Sequence, residues 1–173
     1  QIAEMFSIHT DLSKTEISDK VLALLADVRI PDPKVAAKAY PHELSGGQRQ
    51  RAMIAMALAL DPKLLIADEP TTALDVTTQA QILKLLADLQ REYQTSFLFI
   101  SHDLAVVREI SHNVLVLYLG RAVEYGPAEV ILRDPRHPYT KALLAAAPTP
   151  DPDIARNKLR SALTTLGIII GVA

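Results

Sequence analysis

A short apolar run that ends in two adjacent acids, Leu64-Leu65-Ile66-Ala67-Asp68-Glu69, constrains this chain more than any other feature. A run this short, closed by acids, reads as a strand buried on both faces. Burying charge is costly, so Asp68 and Glu69 mark the point where the strand leaves the core. Strands buried on both faces belong to parallel sheets covered by helices. The flanking sequence agrees. Ile17, Val21, Leu24 and Val28 recur at helical spacing over about residues 16 to 28, and Pro31 and Pro33 follow. After a connector, an Ala-, Met- and Leu-rich helix runs from the Gly46-Gly47 pair to Leu60, and Asp61-Pro62 breaks it. Ile82, Leu85, Leu86 and Leu89 give the buried face of a helix near 77 to 92. Phe97-Leu98-Phe99-Ile100 and Val114-Leu115-Val116-Leu117-Tyr118 are two further strands, with a helix of about eight residues between them. Gly120 marks a tight turn, and Arg121 to Tyr125 returns as a strand. The expected fold class is α/β, a parallel sheet with helices on its faces.

In such sheets chemistry collects at the carboxyl ends of the strands. Asp68, Glu69 and His102 all fall there. Of two adjacent acids at a strand end, one can hold a magnesium ion while the other faces an attacking water. Phosphoryl transfer needs both tasks. The plainer alternative is that the acids only favour the start of the next helix. Leu44-Ser45-Gly46-Gly47-Gln48 opens a helix, where backbone N–H groups favour anions and glycines allow close approach. An ordinary N-cap by Ser45 explains the same residues. His102 could reach a phosphate or a water beside Glu69, or be structural. Asp75 could orient the site, or simply cap the helix near 77.

Composition narrows the class. The chain has 173 residues, 49% hydrophobic and 22% charged, which fits a folded domain and not a disordered one. Its net charge of −2 gives nothing overall to attract nucleic acid or anionic lipid. It has no cysteine, which excludes disulfides, thiolate metal sites and a cysteine nucleophile.

Taken in order, these segments resemble the nucleotide-binding domain of ABC transporters. Leu44-Ser45-Gly46-Gly47-Gln48 matches the family signature, Leu64 to Pro70 its Walker B strand, Ala73-Leu74-Asp75 its D-loop, and Ser101-His102-Asp103 its switch histidine. Tyr40-Pro41-His42-Glu43, Ala67 to Val76, and the extension Pro135-Arg136-His137-Pro138-Tyr139-Thr140-Lys141-Ala142-Leu143-Leu144 resemble the dipeptide and oligopeptide importer branch. The resemblance implies a P-loop-NTPase-like α/β fold, with ATP and magnesium as cofactors. It also implies a second ATPase subunit, membrane permease subunits, and a place on the cytoplasmic face of the inner membrane. Asp68 would serve magnesium, Glu69 would orient or deprotonate water, and His102 would sense the γ-phosphate. Ser45, Gly46, Gly47 and Gln48 would contact ATP held mainly by the partner, and Asp75 would belong to the D-loop.

Two departures stand out. The P-loop pattern Gly-x-x-x-x-Gly-Lys-Ser/Thr is missing, because none of the glycines at 46, 47, 120, 126, 167 and 171 precedes a lysine. The chain opens without Met, inside what reads as a helical pattern, so its start reads as a cut. On this reading the sheet lacks the strand leading into the P-loop and is left with an unpaired edge, and the chain alone is expected to be inactive. The second departure is the tail. Residues 156 to 173 are similar to the start of the first transmembrane helix in permeases of the macrolide-export and lipoprotein-release type. Arg156, Lys158 and Arg160 precede the apolar run. An amphipathic or core-docking helix is the alternative.

The expected divisions are 1–60, the rest of a helical signature subdomain; 61–134, the core with Walker B and the switch histidine; 135–152, the importer extension; and 153–173, the apolar tail. Three functional readings follow. They are a peptide-importer ATPase, a non-catalytic partner that lends its signature to another subunit's ATP, and an ATPase–permease fragment for export.

Overall fold

The computed structural model describes residues 1–72, 74–146 and 167–172. The chain forms two compact units, Gln1–Leu65 with Thr71–Ser96, and Ile66–Pro70 with Phe97–Ala173. The helix before the second strand falls in the first unit and not with the strands.

The first unit is helical. Its elements are α1 (Ile2–His9), α2 (Lys14–Asp27), α3 (Pro33–Ala36), a 3-10 turn (Pro41–Glu43), α4 (Gly46–Leu58) and α5 (Val76–Tyr93). Helix α2 starts in a capping box. The Ser13 hydroxyl accepts from the Glu16 N–H at 3.3 Å, and the Glu16 carboxylate accepts from the Ser13 N–H at 2.8 Å. The apolar stripe of α2 buries Ile17, Val21, Leu24 and Leu25. Helix α4 buries Ile54, Ala55 and Leu58, and packs on α2 and α5. Helix α5 buries Ile82, Leu83, Leu85, Leu86 and Leu89. Each such leucine contributes about 2 kcal/mol by leaving water. Two long-range contacts tie α5 to the segment around α2. Arg29 pairs with Asp88 at 2.6 Å, and the Tyr93 hydroxyl donates to Asp27 at 2.6 Å. Burial, then that carboxylate, pushes the Tyr93 phenol above its ordinary pKa.

The second unit is built on a sheet whose described strands are β1 (Leu64–Asp68), β2 (Ser96–Ser101), β3 (Asn113–Tyr118), β4 (Arg121–Pro127) and β5 (Gly167–Val172). Their spatial order is β1-β2-β5-β3-β4. The pattern in β2 is the expected one, with Phe97 and Phe99 buried. Helix α6 (Leu104–Ile110) carries the chain from β2 to β3. The β3–β4 hairpin closes through Leu119 and Gly120, both left-handed at φ +49° and +74°. That pair of conformations suits the twist of a two-residue hairpin, and glycine supplies one of them without strain.

Below the sheet, α7 (Ala128–Arg133) and α8 (Pro138–Ala146) complete a core of Val107, Val114, Val116, Ala128, Ile131, Tyr139 and Leu143. The proline-rich extension is therefore integral to this core. Its anchor is Glu124 on β4, whose carboxylate accepts from the N–H groups of Arg136 at 2.7 Å and His137 at 3.1 Å, just ahead of α8. The Tyr139 ring lies against Tyr118, with centroids 4.3 Å apart.

The tail differs from its expectation. Residues 167–172 form a strand, and no described helix is long and apolar enough to cross a membrane. The remainder of the segment 156–173 lies outside the described residues. Gly-Ile-Ile-Ile-Gly-Val is rich in β-branched residues, which fit a pleated surface when neighbouring strands offer a ladder. Among the described strands the open edges are β1, with Leu64 and Ile66 exposed, and β4. Strand β5 lies between β2 and β3 and runs antiparallel to both.

Candidate functional site

The acidic strand end and the histidine meet. Glu69 follows the last residue of β1, and its N–H donates to the Ile100 carbonyl of β2 at 2.9 Å. His102 follows the last residue of β2. Its Nδ1 lies 2.8 Å from Glu69 Oε1. Both side chains are about half exposed, at 47% and 43%. When the carboxylate is ionised this bond needs a proton on Nδ1, which leaves Nε2 as the acceptor of a neutral ring.

Glu69 has φ +45°. A non-glycine residue in the left-handed region is strained, and such residues gather at functional sites. The bond to Ile100 pins that conformation. His102 is held by its neighbours. Buried Ser101 accepts from the Asp103 N–H at 3.0 Å, and Asp103 caps α6 by accepting from the Ala105 N–H at 2.9 Å. Asp68 ends β1 and is exposed. It fits a magnesium ion in the usual way, as one carboxylate among phosphate and water ligands. Among the described residues no cluster of three or more His, Cys, Asp or Glu could form an all-protein cage.

The signature residues lie in the first unit, in a cleft of about 580 Å³ that also takes in Arg29, Arg51, Asp75 and Thr78. Ser45 is the N-cap of α4. Its hydroxyl accepts from the Gln48 N–H at 3.2 Å, while Gln48 Oε1 accepts from the Ser45 N–H at 2.9 Å. Both the capping and the anion-facing readings of Ser45 fit this arrangement. A hydroxyl that accepts one bond still has its own proton to donate. The first-turn N–H groups of Gly46 and Gly47 have no partner inside the helix.

Gly47 also has a packing role. A Cβ placed there would lie 2.8 Å from Thr78 Cγ2 on α5. Asp75 caps α5, accepting from the Thr78 N–H at 2.9 Å and its hydroxyl at 2.6 Å. These two bonds, the hydroxyl first, hold its carboxyl below the usual range. Arg51 donates to the Val28 carbonyl at 2.9 Å. Burial, then the charge of Arg29, lowers its pKa. It remains a cation at any ordinary pH.

The structure thus joins Glu69 with His102 in one unit, beside Asp68. It joins Ser45, Gly46, Gly47 and Gln48 with Asp75 in the other. Sequence reading missed Thr78, Arg29 and Arg51, which come together only through helix packing. It also missed the Ser101 hydroxyl, although a Ser-His-Asp turn at a strand end signals such a bracket.

A family model described as ABC transporter matches residues 1–72, and one described as the oligopeptide/dipeptide transporter C-terminal region matches residues 123–167. The oligopeptide transport ATP-binding protein OppD of Bacillus subtilis is 54% identical over 149 residues, which is 86% of this chain and 42% of that protein. The di/tripeptide transport ATP-binding protein DppF of Pseudomonas aeruginosa is 49% identical over 160 residues, 92% of this chain and 49% of that one. The dimeric structure of MJ0796, a bacterial ABC transporter cassette, superposes with a TM-score of 0.62 at 30% identity. That match covers 73% of this chain and 54% of the cassette. The chain belongs to the ABC transporter ATP-binding proteins. Within them it sits in the peptide-importer branch, to which its C-terminal region and these relatives point. It spans less than half the length of those two curated relatives.

Proposed function

We propose that these 173 residues work within the ATP-hydrolysing subunit of a peptide importer, at the cytoplasmic face of the inner membrane. The phosphate-binding loop would be supplied from outside them. The observation that carries this reading is the 2.8 Å contact between His102 and Glu69 at the carboxyl ends of neighbouring strands. Glu69 orients a water and takes its proton, and His102 fixes the Glu69 carboxylate through Nδ1–H and, when its ring is doubly protonated, donates Nε2–H to the reacting phosphate. Asp68 would hold magnesium, which supplies charge compensation for the phosphates. Ser45, Gly46, Gly47 and Gln48 would face ATP bound by a second ATPase subunit, using the hydroxyl proton and the first-turn N–H groups. The dimeric cassette among its structural relatives supports a pair of such subunits. Permease subunits would complete the transporter.

A purely lending, non-catalytic partner has less support, because such a protein needs no Glu69–His102 pair. The exporter reading rested on the tail, and residues 167–172 are a strand.

Calorimetry of this chain with magnesium and ATP tests the proposal, with Asp68→Asn as control. The expected result is no tight binding and no turnover by the chain alone. Tight binding that Asp68→Asn abolishes would refute the need for an outside loop. In a longer subunit carrying the loop, Glu69→Gln should cut turnover by about 100-fold or more while ATP still binds, the size expected for loss of general-base catalysis. Full turnover in that variant would remove Glu69 from the mechanism.

A further inference from the structure

Helix α4 begins without an apolar anchor. From Gly46 to Met53 no residue is buried, and burial starts at Ile54. The turns that carry Gly46, Gly47 and Gln48 are therefore held in place by other means. One is the packing of Gly47 on Thr78. The other is Arg51. Its Nη1 donates to the Val28 carbonyl at 2.9 Å, and its Nη2 donates to Gln81 Oε1 at 3.4 Å. Val28 is fully buried and forms the C-cap of α2, where a helix leaves carbonyls without partners of its own. One guanidinium thus joins α4 to the end of α2 and to α5. Its planar fork of donors suits two acceptors at once, which a single ammonium does not.

The clasp lies at matched depth in both helices. Arg51 follows the α4 cap Ser45 at the same interval as Gln81 follows the α5 cap Asp75. That interval is about 9 Å of helix. Arg29 adds a second tie from the same segment. It has a left-handed backbone, φ +58°, and its guanidinium pairs with Asp88 of α5 at 2.6 Å. Such a backbone persists only where neighbours hold it. Asp88 also offsets the positive charge that Arg29 brings beside Arg51.

We infer that Arg51 is a positioning residue, which clasps α4 to α5 so that the capped N-termini at Ser45 and Asp75 meet a second subunit as one rigid edge. This rests on the proposed role of Ser45 to Gln48 in facing ATP on that subunit. Both terminal nitrogens of Arg51 are engaged within the chain, so it acts through where Ser45, Gly46 and Gly47 stand. Position matters at this scale, because a displacement of about 1 Å can cost about 100-fold in rate. The clasp ends on α5, so a shift of Asp75 carries the signature with it.

The chain has no cysteine, so paired spin labels read the clasp directly. Arg49→Cys and Thr77→Cys place labels at exposed positions close to the two caps. In the full chain their pulsed-dipolar distance should be narrowly distributed. Adding Arg51→Lys or Gln81→Ala should shift or broaden it by about 1 Å or more. Gln81 is exposed, so Gln81→Ala decides the matter if Arg51→Lys does not fold. A distribution unchanged by the substitution overturns the clasp, whatever the signature does. Turnover tests the consequence. In a longer subunit carrying the phosphate-binding loop, Arg51→Lys should lower kcat about tenfold while the Kd for ATP is unchanged. Ser45→Ala should lower kcat as well, and the double variant should lose less than the product of the two single losses. Fully multiplicative losses overturn action through Ser45 and leave the signature's own role standing. Full turnover by Ser45→Ala overturns that role, and the part of Arg51 in turnover falls with it.

Discussion

Gly47→Ala should destabilise the first unit, although alanine is the better helix former. The magnitude follows from one distance. A Cβ at position 47 would sit 2.8 Å from Thr78 Cγ2, whereas carbon atoms rest comfortably at about 3.5–4.0 Å. The threonine cannot swing away freely, because its hydroxyl is bonded to Asp75 at 2.6 Å. Either α4 and α5 separate by a fraction of an ångström, or that bond breaks. Overpacking of this kind costs about 1–3 kcal/mol. The helix-propensity gain of alanine over glycine returns about 0.5–1 kcal/mol. The net expectation is a loss of about 1–2 kcal/mol.

Urea unfolding followed by far-UV circular dichroism measures this, and Thr78→Ser makes it diagnostic. The serine keeps the hydroxyl and removes Cγ2. Thr78→Ser alone should cost little, and the double variant should regain most of the loss. Coupling of about 1 kcal/mol in the cycle is expected, well above the 0.3–0.5 kcal/mol scatter of independent sites. A Gly47→Ala protein as stable as the parent, or a cycle without coupling, would refute the packing account. Gly47 would then be needed only for what approaches it from outside.

Three further outcomes are expected. Ser45→Ala removes the cap of α4 and should cost about 1 kcal/mol in the same unfolding assay, and a loss under about 0.3 kcal/mol would mean that the cap carries no stability. Burial raises the Glu124 pKa, but hydrogen bonds from Thr140 and from the Arg136 and His137 N–H groups, with the charge of His137, outweigh it and leave the carboxyl below its ordinary range; this group therefore stabilises the fold above the ordinary glutamate pKa, and the contribution disappears as pH falls through the lowered value. Glu124→Gln should flatten that acid limb in a pH series of unfolding midpoints, and an unchanged limb would refute the assignment. The Tyr139 hydroxyl is buried without a hydrogen-bond partner among the described residues, so Tyr139→Phe should leave stability unchanged or raise it by up to about 1 kcal/mol, whereas a loss above 1 kcal/mol would show a hidden partner.

The parts of the fold that local chemistry dictates were legible. The run 64–68 is a strand as expected, but buried on one face only, with Leu65 and Ala67 inside and Leu64 and Ile66 exposed; His102 follows a second apolar strand. The helical stripes on α2 and α5 announce themselves by spacing alone. Long-range pairing was not legible. An Ile-rich tail preceded by basic residues satisfies the pattern of a helix entering lipid and that of an interior strand equally well, and only the gap beside β2 decides between them. The positive φ of Glu69 left no trace in the sequence either, since it depends on the Ile100 carbonyl of another strand. Gly47 was read as a residue that admits a ligand, and its nearest reason is Thr78, some thirty residues onward.

The signature shows why local and functional readings of one residue need not compete. Ser45 meets every local requirement of an N-cap, and that satisfaction uses only its acceptor capacity. Its proton remains to be donated, and Gly46 and Gly47 beside it have N–H groups the helix cannot use. The Gln48 backbone N–H, donating to the Ser45 hydroxyl, holds the Ser45 rotamer, and Gln48 Oε1, accepting from the Ser45 N–H, holds the backbone beneath it. On the proposed function, a group held this way would lose little entropy when a phosphate oxygen arrives, and the cap would organise the site in advance. On this account Gln48→Ala should weaken binding of a nucleotide-loaded partner subunit even though Gln48 need not touch the nucleotide. Ser45→Ala should weaken it further, because it removes the hydroxyl that caps the helix and donates outward. Affinity measured between this chain and a partner ATPase subunit loaded with ATP would decide. If Gln48→Ala binds as well as the parent while Ser45→Ala does not, capping and recognition are separate tasks that happen to share one hydroxyl.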